Sequence, residues 1–204
     1  MPMQQKKEYY TLTVILMMLR SKGFAAWKYT QKRWDMDTKL QLVRQAKQGN
    51  AQSFAVLYQN IYYNLYRFAL YTLGNPADAE DAVSDAVADA WATIGKLRKE
   101  ESFESWMFQI LHNKCRRKRK EYFYRPLEWT DALEGSTNES SLDEKYHLRS
   151  LFGKLAAKDR AIISLHVFGG YTSQEIARIT GMKANTVRSR ESRALKKLAV
   201  QLKE

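Results

Sequence analysis

One cysteine, three prolines and nine glycines are all that punctuate or cross-link this 204-residue chain. A lone thiol, Cys115, excludes an internal disulfide and suits a reducing cytoplasm. Its neighbours Lys114, Arg116 and Arg117 are of the kind that lower a thiol pKa, but no His and acid stand locally to complete a nucleophile, and an incidental thiol is the simpler expectation. Scarce proline and glycine favour long helices over many short strands. The three histidines, His112, His147 and His166, are isolated along the chain. Without Cys/His metal spacing, a Gly-rich phosphate loop or a catalytic set, the expectation is a non-enzyme with no metal, no cofactor and no small-molecule substrate.

What is present is apolar and basic. Hydrophobic residues make up 45% of the chain, enough for packed cores, and the net charge is +12. An excess of that size attracts polyanions: nucleic acid, an acidic protein face or a membrane surface. The charge is unevenly spread: +5 over residues 1–35, +4 over 36–120, −5 over 121–147 and +8 over 148–204. Two basic blocks on either side of an acidic connector read as two polyanion-binding modules on a tether.

Residues 1–38 form an extension whose status the sequence leaves open. Lys6 and Lys7 precede an apolar run from Tyr9 to Leu19, with Ala25 and Ala26 beyond, the outline of a signal peptide. Arg20 and Lys22 interrupt the path to a cleavage site, and the run is shorter than the roughly 20 residues a bilayer span requires. Met36-Asp37-Thr38-Lys39-Leu40 resembles a start, so the domain is expected to begin near Met36. The alternative is an interfacial helix anchored by Trp27 and Trp34.

From Leu40 to Lys120 the apolar residues recur at helical spacing. Leu40, Val43 and Ala46 open one stripe, and Phe54, Leu57, Ile61, Leu65, Phe68 and Leu73 continue it. Gly74-Asn75-Pro76 breaks the chain and starts a helix to about Ile94, closed by Gly95. One side of that helix carries Ala79, Val83, Ala86, Ala90, Trp91 and Ile94; the other carries Asp78, Asp81, Asp85 and Asp89. A polar loop, Lys96 to Ser102, leads into a helix from Phe103 to about Tyr124. Residues 125–147, with Pro126 and Gly135-Ser136-Thr137-Asn138, read as a linker. The fold expected is all-α: two small helical domains, 39–124 and 148–204, joined by a flexible acidic linker.

The second domain carries the sharpest motif. Gly169-Gly170 stop one helix. Thr172-Ser173-Gln174-Glu175 is a capping box for a short helix that buries Ile176 and Ile179. Thr180-Gly181-Met182 makes a tight turn. The next helix, from Ala184 or Asn185, displays Lys183, Asn185, Thr186, Arg188, Ser189, Arg190 and Arg193, with Lys197 further on, while Val187, Ala194 and Leu198 face inward. This is a helix-turn-helix with a basic second helix. Side chains near the start of such a helix reach base edges in the major groove, with Asn and Arg the natural bidentate readers, and later Arg and Lys suit phosphates. Glu191 falls on the inward stripe, where an unpaired carboxylate is costly. It is expected to tilt outward or pair with Arg188, so that Glu191→Leu raises the melting temperature.

The stretch from Tyr171 to Arg193 resembles the C-terminal domain of RNA polymerase sigma factors of the sigma-70 family, extracytoplasmic-function (ECF) group. Leu155-Ala-Ala-Lys-Asp-Arg160 is similar to the entry of that domain, without the family's proline, and Glu191 replaces its usual apolar residue. Ala77 to Trp91 resembles the family's helix that docks on the clamp of core polymerase, with Asp85-Ala86-Val87 in place of its usual motif. The resemblance therefore implies core-polymerase binding by Asp78, Asp81, Asp85 and Asp89. From the residues alone those acids are equally a solvated face complementing a helix N-terminus.

Leu97 to Asn113 resembles the family's promoter-melting segment. Melting needs capture of unstacked bases and a grip on the backbone, which aromatic and basic residues at a loop–helix junction supply. The resemblance implies −10 contacts from Lys96, Arg98, Lys99, Phe103, Trp106, Asn113, Lys114, Arg116, Arg117 and Lys120. Phe103 and Trp106 are alternatively core residues, and Arg117 stands where the family commonly has Asp. It implies −35 contacts from Thr172, Ser173, Lys183, Asn185, Thr186, Arg188, Ser189, Arg190, Arg193 and Lys197.

A sigma factor of this group binds core RNA polymerase and promoter DNA, works in the cytoplasm and is held by an anti-sigma factor. Two readings compete with it. A stand-alone helix-turn-helix regulator dimerises on a two-fold site. A membrane-surface protein rests on residues 1–35 alone.

Overall fold

The computed structural model describes residues 35–121 and 149–201, and within them the chain is helical with no strand. The extension up to residue 34, the linker proposed at 125–147 and the Lys120 side chain lie outside the described residues. Four long helices form the first module: α1 (Met36–Lys47), α2 (Ala51–Leu73), α3 (Pro76–Thr93) and α4 (Phe103–Glu121). Each of the first three starts on a side-chain cap that satisfies an otherwise orphaned N–H. Asp35 accepts from the Thr38 N–H at 2.7 Å, Asn50 from that of Ser53 at 2.9 Å and Asn75 from that of Asp78 at 3.0 Å. Gly74 ends α2 in the left-handed region, φ 77°. Gly95 does not end α3 that way. The chain passes through it in a 3-10 turn, Ile94–Lys96, at ordinary φ, which carries the helix direct into the loop.

The second module holds a helical segment at 149–153, then α5 (Ala157–Gly169), α6 (Ser173–Thr180) and α7 (Ala184–Gln201). Thr172 caps α6, its Oγ1 accepting from the Glu175 N–H while the Glu175 carboxylate accepts from the Thr172 N–H at 2.8 Å. Gly170 and Gly181, at φ 68° and 73°, turn the chain before and after α6. A β-carbon there would be strained.

The modules pack against each other, and α2 shows it most plainly. Its first half buries one stripe, but from Leu65 to Leu73 every residue is buried. The stripe faces α3 and α4; the outer side is covered by α5. Tyr71 lies between the Phe152 ring at 5.0 Å and the Phe168 ring at 5.1 Å. Arg67 stacks its guanidinium over Phe168 at 4.5 Å. On the far side Phe108 of α4 meets Tyr171 edge-on at 5.3 Å. A polar contact crosses the same seam: Arg160 of α5 is almost wholly buried and donates to the Thr72 carbonyl from Nη2 at 3.1 Å and Nε at 3.3 Å, and within its own module to the Leu155 carbonyl at 2.8 Å. These bonds answer carbonyls at the end of α2 and before α5 that the helices leave open.

Candidate nucleic-acid and polymerase interface

The loop between α3 and α4 is built to turn positive charge outward. Leu97 is buried and pins the loop, while Lys96, Arg98 and Lys99 are exposed. Two acids at the loop–helix junction are drawn the other way, while Glu101 stays exposed. Glu100 pairs with Lys47 at 2.7 Å and Glu104 with Lys39 at 2.5 Å, both lysines on α1. The Lys47 hydrogen bond holds the Glu100 carboxyl below its usual pKa. The cleft beside the loop, about 430 Å³, has a basic rim where Lys96, Arg98, Lys99 and Trp106 face Glu175, Arg178 and Ile179 of α6.

Phe103 does not belong to that rim. It is completely buried, edge-on to Phe54 at 6.3 Å, and has no surface to offer a base. Its position on the inward side of the first turn of α4 is the reason. Trp106, three residues on, is half-buried and lines the cleft. Cys115 is likewise inside, and burial pushes its thiol up to about 12. The charge of Lys118 acts too weakly against that desolvation, in keeping with the incidental thiol the sequence suggested.

Farther along α4, Arg116 and Arg117 are exposed and Asn113 is half-buried. Lys114 and Lys118 turn toward α3. Lys114 lies 2.8 Å from Asp89 and 4.0 Å from Asp85; Lys118 contacts Asp81 directly and Asp78 at 4.0 Å. The acidic face of α3 thus runs alongside the basic stripe of α4. Asp81, Asp85 and Asp89 stay half or more exposed, and ion pairs so wet are worth at most about 1 kcal/mol. The face remains open to a stronger basic partner. Lys118 belongs to the basic run that follows Asn113, and its pairing with α3 was signalled only by its spacing of four from Lys114.

In the helix-turn-helix, α7 exposes Lys183, Asn185, Thr186, Arg188, Ser189 and Arg193 beyond the turn, while Val187, Ala194 and Leu198 are buried. Four other expected contacts are committed elsewhere. The Thr172 hydroxyl serves the cap. Ser173 donates to Glu191 at 3.0 Å. Arg190 is half-buried against Asp159 of α5, Nε to Oδ1 2.8 Å. Lys197 donates to the Lys154 carbonyl at 2.7 Å. Glu191 neither tilts outward nor pairs with Arg188, which is exposed; it lies 3.0 Å from His166 Nδ1. Arg178, exposed on α6, joins the basic surface without having been expected there.

No helix among the described residues is long and apolar enough to cross a membrane, and no group of His, Cys, Asp and Glu among them is arranged to hold a metal.

Comparison with known proteins matches this arrangement module by module. Residues 57–122 match the model of sigma-70 region 2, and residues 147–198 that of sigma-70 region 4. The chain is 30% identical over 142 residues to the RNA polymerase sigma factor SigV of Bacillus subtilis, covering 68% of this chain and 84% of SigV. It is 28% identical over 154 residues to the ECF RNA polymerase sigma factor SigM of Mycobacterium tuberculosis, covering 74% of this chain and 78% of SigM. Among solved structures, CnrH in complex with the cytosolic domain of CnrY superposes with a TM-score of 0.64 at 26% identity, over 81% of this chain and 97% of CnrH. The sigma factor RpoE in complex with the anti-sigma factor NepR from Bartonella quintana gives 0.60 at 26% identity, over 75% and 98%. The basic loop, the acidic helix beside it and the capped helix-turn-helix are therefore parts of one promoter-directing machine, and the chain belongs to the sigma-70 family of RNA polymerase sigma factors, in its ECF group.

Proposed function

We propose a division of labour within this sigma factor. The module at 39–124 docks on the clamp of core polymerase through Asp78, Asp81, Asp85 and Asp89, and grips the −10 element through the rim of Lys96, Arg98, Lys99 and Trp106. Asn113, Arg116, Arg117 and Lys120 follow the backbone from there, and Lys114, paired with Asp89, braces α4 against α3. The module at 148–204 reads the −35 element with Asn185, Thr186, Arg188 and Ser189, while Lys183 and Arg193 hold phosphates. The acidic segment 125–147 connects them within the polymerase. The protein supplies recognition rather than chemistry of its own, in the cytoplasm. The carrying observation is the exposed basic rim next to a half-buried tryptophan, the pairing that capture of an unstacked base calls for.

The packed arrangement carries a second consequence. Positions −35 and −10 are 25 base pairs apart by definition, roughly 85 Å at 3.4 Å per base pair. Here α6 lines the same cleft as the −10 rim. The two modules part when both elements are engaged, and an anti-sigma partner that binds the packed form keeps them together. The two solved relatives captured with protein partners support that reading.

The test is opening of a fluorescent −10 base analogue by holoenzyme rebuilt with core polymerase. Reversing charge at Lys96, Arg98 and Lys99 together is expected to abolish the signal while core binding persists. Unchanged opening would remove the rim from the mechanism.

A further inference from the structure

Behind the recognition helix, three helices meet at one carboxylate. Glu191 lies on the inward stripe of α7, a turn after buried Val187 and a turn before buried Ala194, and its side chain is 12% exposed. Its Oε1 is 3.0 Å from His166 Nδ1 on α5. Its Oε2 accepts from the Ser173 hydroxyl, on the first residue of α6, at 3.0 Å. A carboxylate here is more expensive than an apolar side chain unless both oxygens are engaged, and both are. Exposed Ser189 stands on the opposite side of the same turn, and exposed Arg188 lies one turn before Glu191 on the flank of its stripe.

We propose that Glu191 is a positioning residue for promoter reading. By tying α7 to both α5 and the start of α6, it sets the rotation of the recognition helix about its own axis, and so the angle at which Asn185, Arg188 and Ser189 enter the major groove. Leu or Val at this position would fill the space without fixing that angle, because apolar packing is not directional. This proposal rests on the −35 reading above.

The link is sensitive to pH. The Glu191 hydrogen bond raises the His166 pKa above its ordinary 6.5, against the opposing effect of burial. Burial pushes the Glu191 pKa up, but His166 and Ser173 together hold it below its usual value. Of the other charged groups on the packed elements, Asp159 of α5 pairs with Arg190 of α7, Arg160 of α5 bonds backbone carbonyls, Glu175 of α6 caps with Thr172 and Arg67 of α2 lies over the Phe168 ring, while Lys158, Arg178, Arg188, Arg193 and Lys196 are exposed. Tyr171, in the turn before α6, touches His166 through its backbone. The pair is thus an ion pair between the lowered Glu191 pKa and the raised His166 pKa, and it weakens as pH rises through the latter.

The experiment uses full-length protein in holoenzyme with core polymerase, and reads the affinity ratio for promoters with an intact and a scrambled −35 element. That ratio cancels the pH response of core itself. The wild type is expected to lose discrimination several-fold as pH rises through the His166 titration, followed by NMR of the imidazole. Glu191→Leu is expected to lose about tenfold in the ratio at pH 6.5, and Glu191→Gln to restore part of it with a flat pH profile. Wild-type discrimination that Glu191→Gln leaves unchanged in size and pH profile would overturn the proposal, even if Glu191→Leu fails to fold. A wild-type ratio of one would overturn the −35 reading itself and the proposal with it.

Discussion

The Arg160 guanidinium reaches from α5 to the Thr72 carbonyl at the end of α2, with Nη2 3.1 Å away. It is a buried polar bond between the modules, one residue along α2 from Tyr71, which packs against Phe152 and Phe168. Charge-assisted hydrogen bonds of this kind contribute about 1.5–3 kcal/mol. Arg160→Met is expected to shift the free protein toward an open form, read as a larger radius of gyration in small-angle X-ray scattering with helix content kept. An unchanged radius would mean that the apolar seam alone holds the modules together.

Arg188 and Arg190 are two positions apart and have different work. Arg188 is exposed toward the proposed groove; Arg190 is tied to Asp159. Arg188→Ala is expected to cost about 1–3 kcal/mol of −35 affinity with little change in melting temperature. Arg190→Ala is expected to lower stability by about 0.5–1 kcal/mol, since its ion pair is three-quarters buried at the helix seam. The reverse pattern in binding and melting curves would invert the orientation of α7.

Two histidines give stability opposite slopes in pH. Burial, aided by Arg116, depresses His112 to about 4, so the unfolded chain takes up a proton first. Its contribution is present above pH 6.5 and lost as pH falls toward 4, on the order of 3 kcal/mol in total. His166 is raised, so its contribution is complete below 6.5 and lost as pH climbs through its folded pKa. Denaturant titrations are expected to show a maximum near neutrality. His112→Gln flattens the acid side and Glu191→Gln the alkaline side. A wild-type curve without an acid limb between pH 6.5 and 4 would contradict the burial of His112.

Cys115 is fully buried with its thiol pushed up to about 12. It is expected to react with a thiol reagent only at the rate of opening, and at once in denaturant. Rapid labelling of the native protein would contradict its place in the core.

Much of this was legible along the chain because local rules decided it. Asn75-Pro76, Thr172 to Glu175 and Gly181 act within a few residues, and they start and stop helices where expected. The exposed half of α7 follows from a single stripe, Val187, Ala194 and Leu198. What the chain hid is tertiary. Phe103 reads as an exposed base-catcher or as core with equal ease, and only the approach of Phe54 decides. Full burial of α2 from Leu65 to Leu73 depends on α5, some ninety residues away. Glu191 was the clearest local conflict, an acid on an apolar stripe. Its partner, His166, lies two helices earlier, at a distance no periodicity reports.

The central claim is that this chain directs polymerase to two unlike promoter elements through two separate surfaces. It is tested most directly by run-off transcription with purified core polymerase on promoters selected by the holoenzyme. The account predicts initiation that draws on both elements: Arg188→Ala falls below wild type only on promoters with an intact −35 element, and the charge-reversed Lys96, Arg98 and Lys99 variant fails whatever the −35 sequence. Initiation by core without this protein, or DNA binding by a dimer of this chain on a two-fold site with no requirement for core, would contradict it.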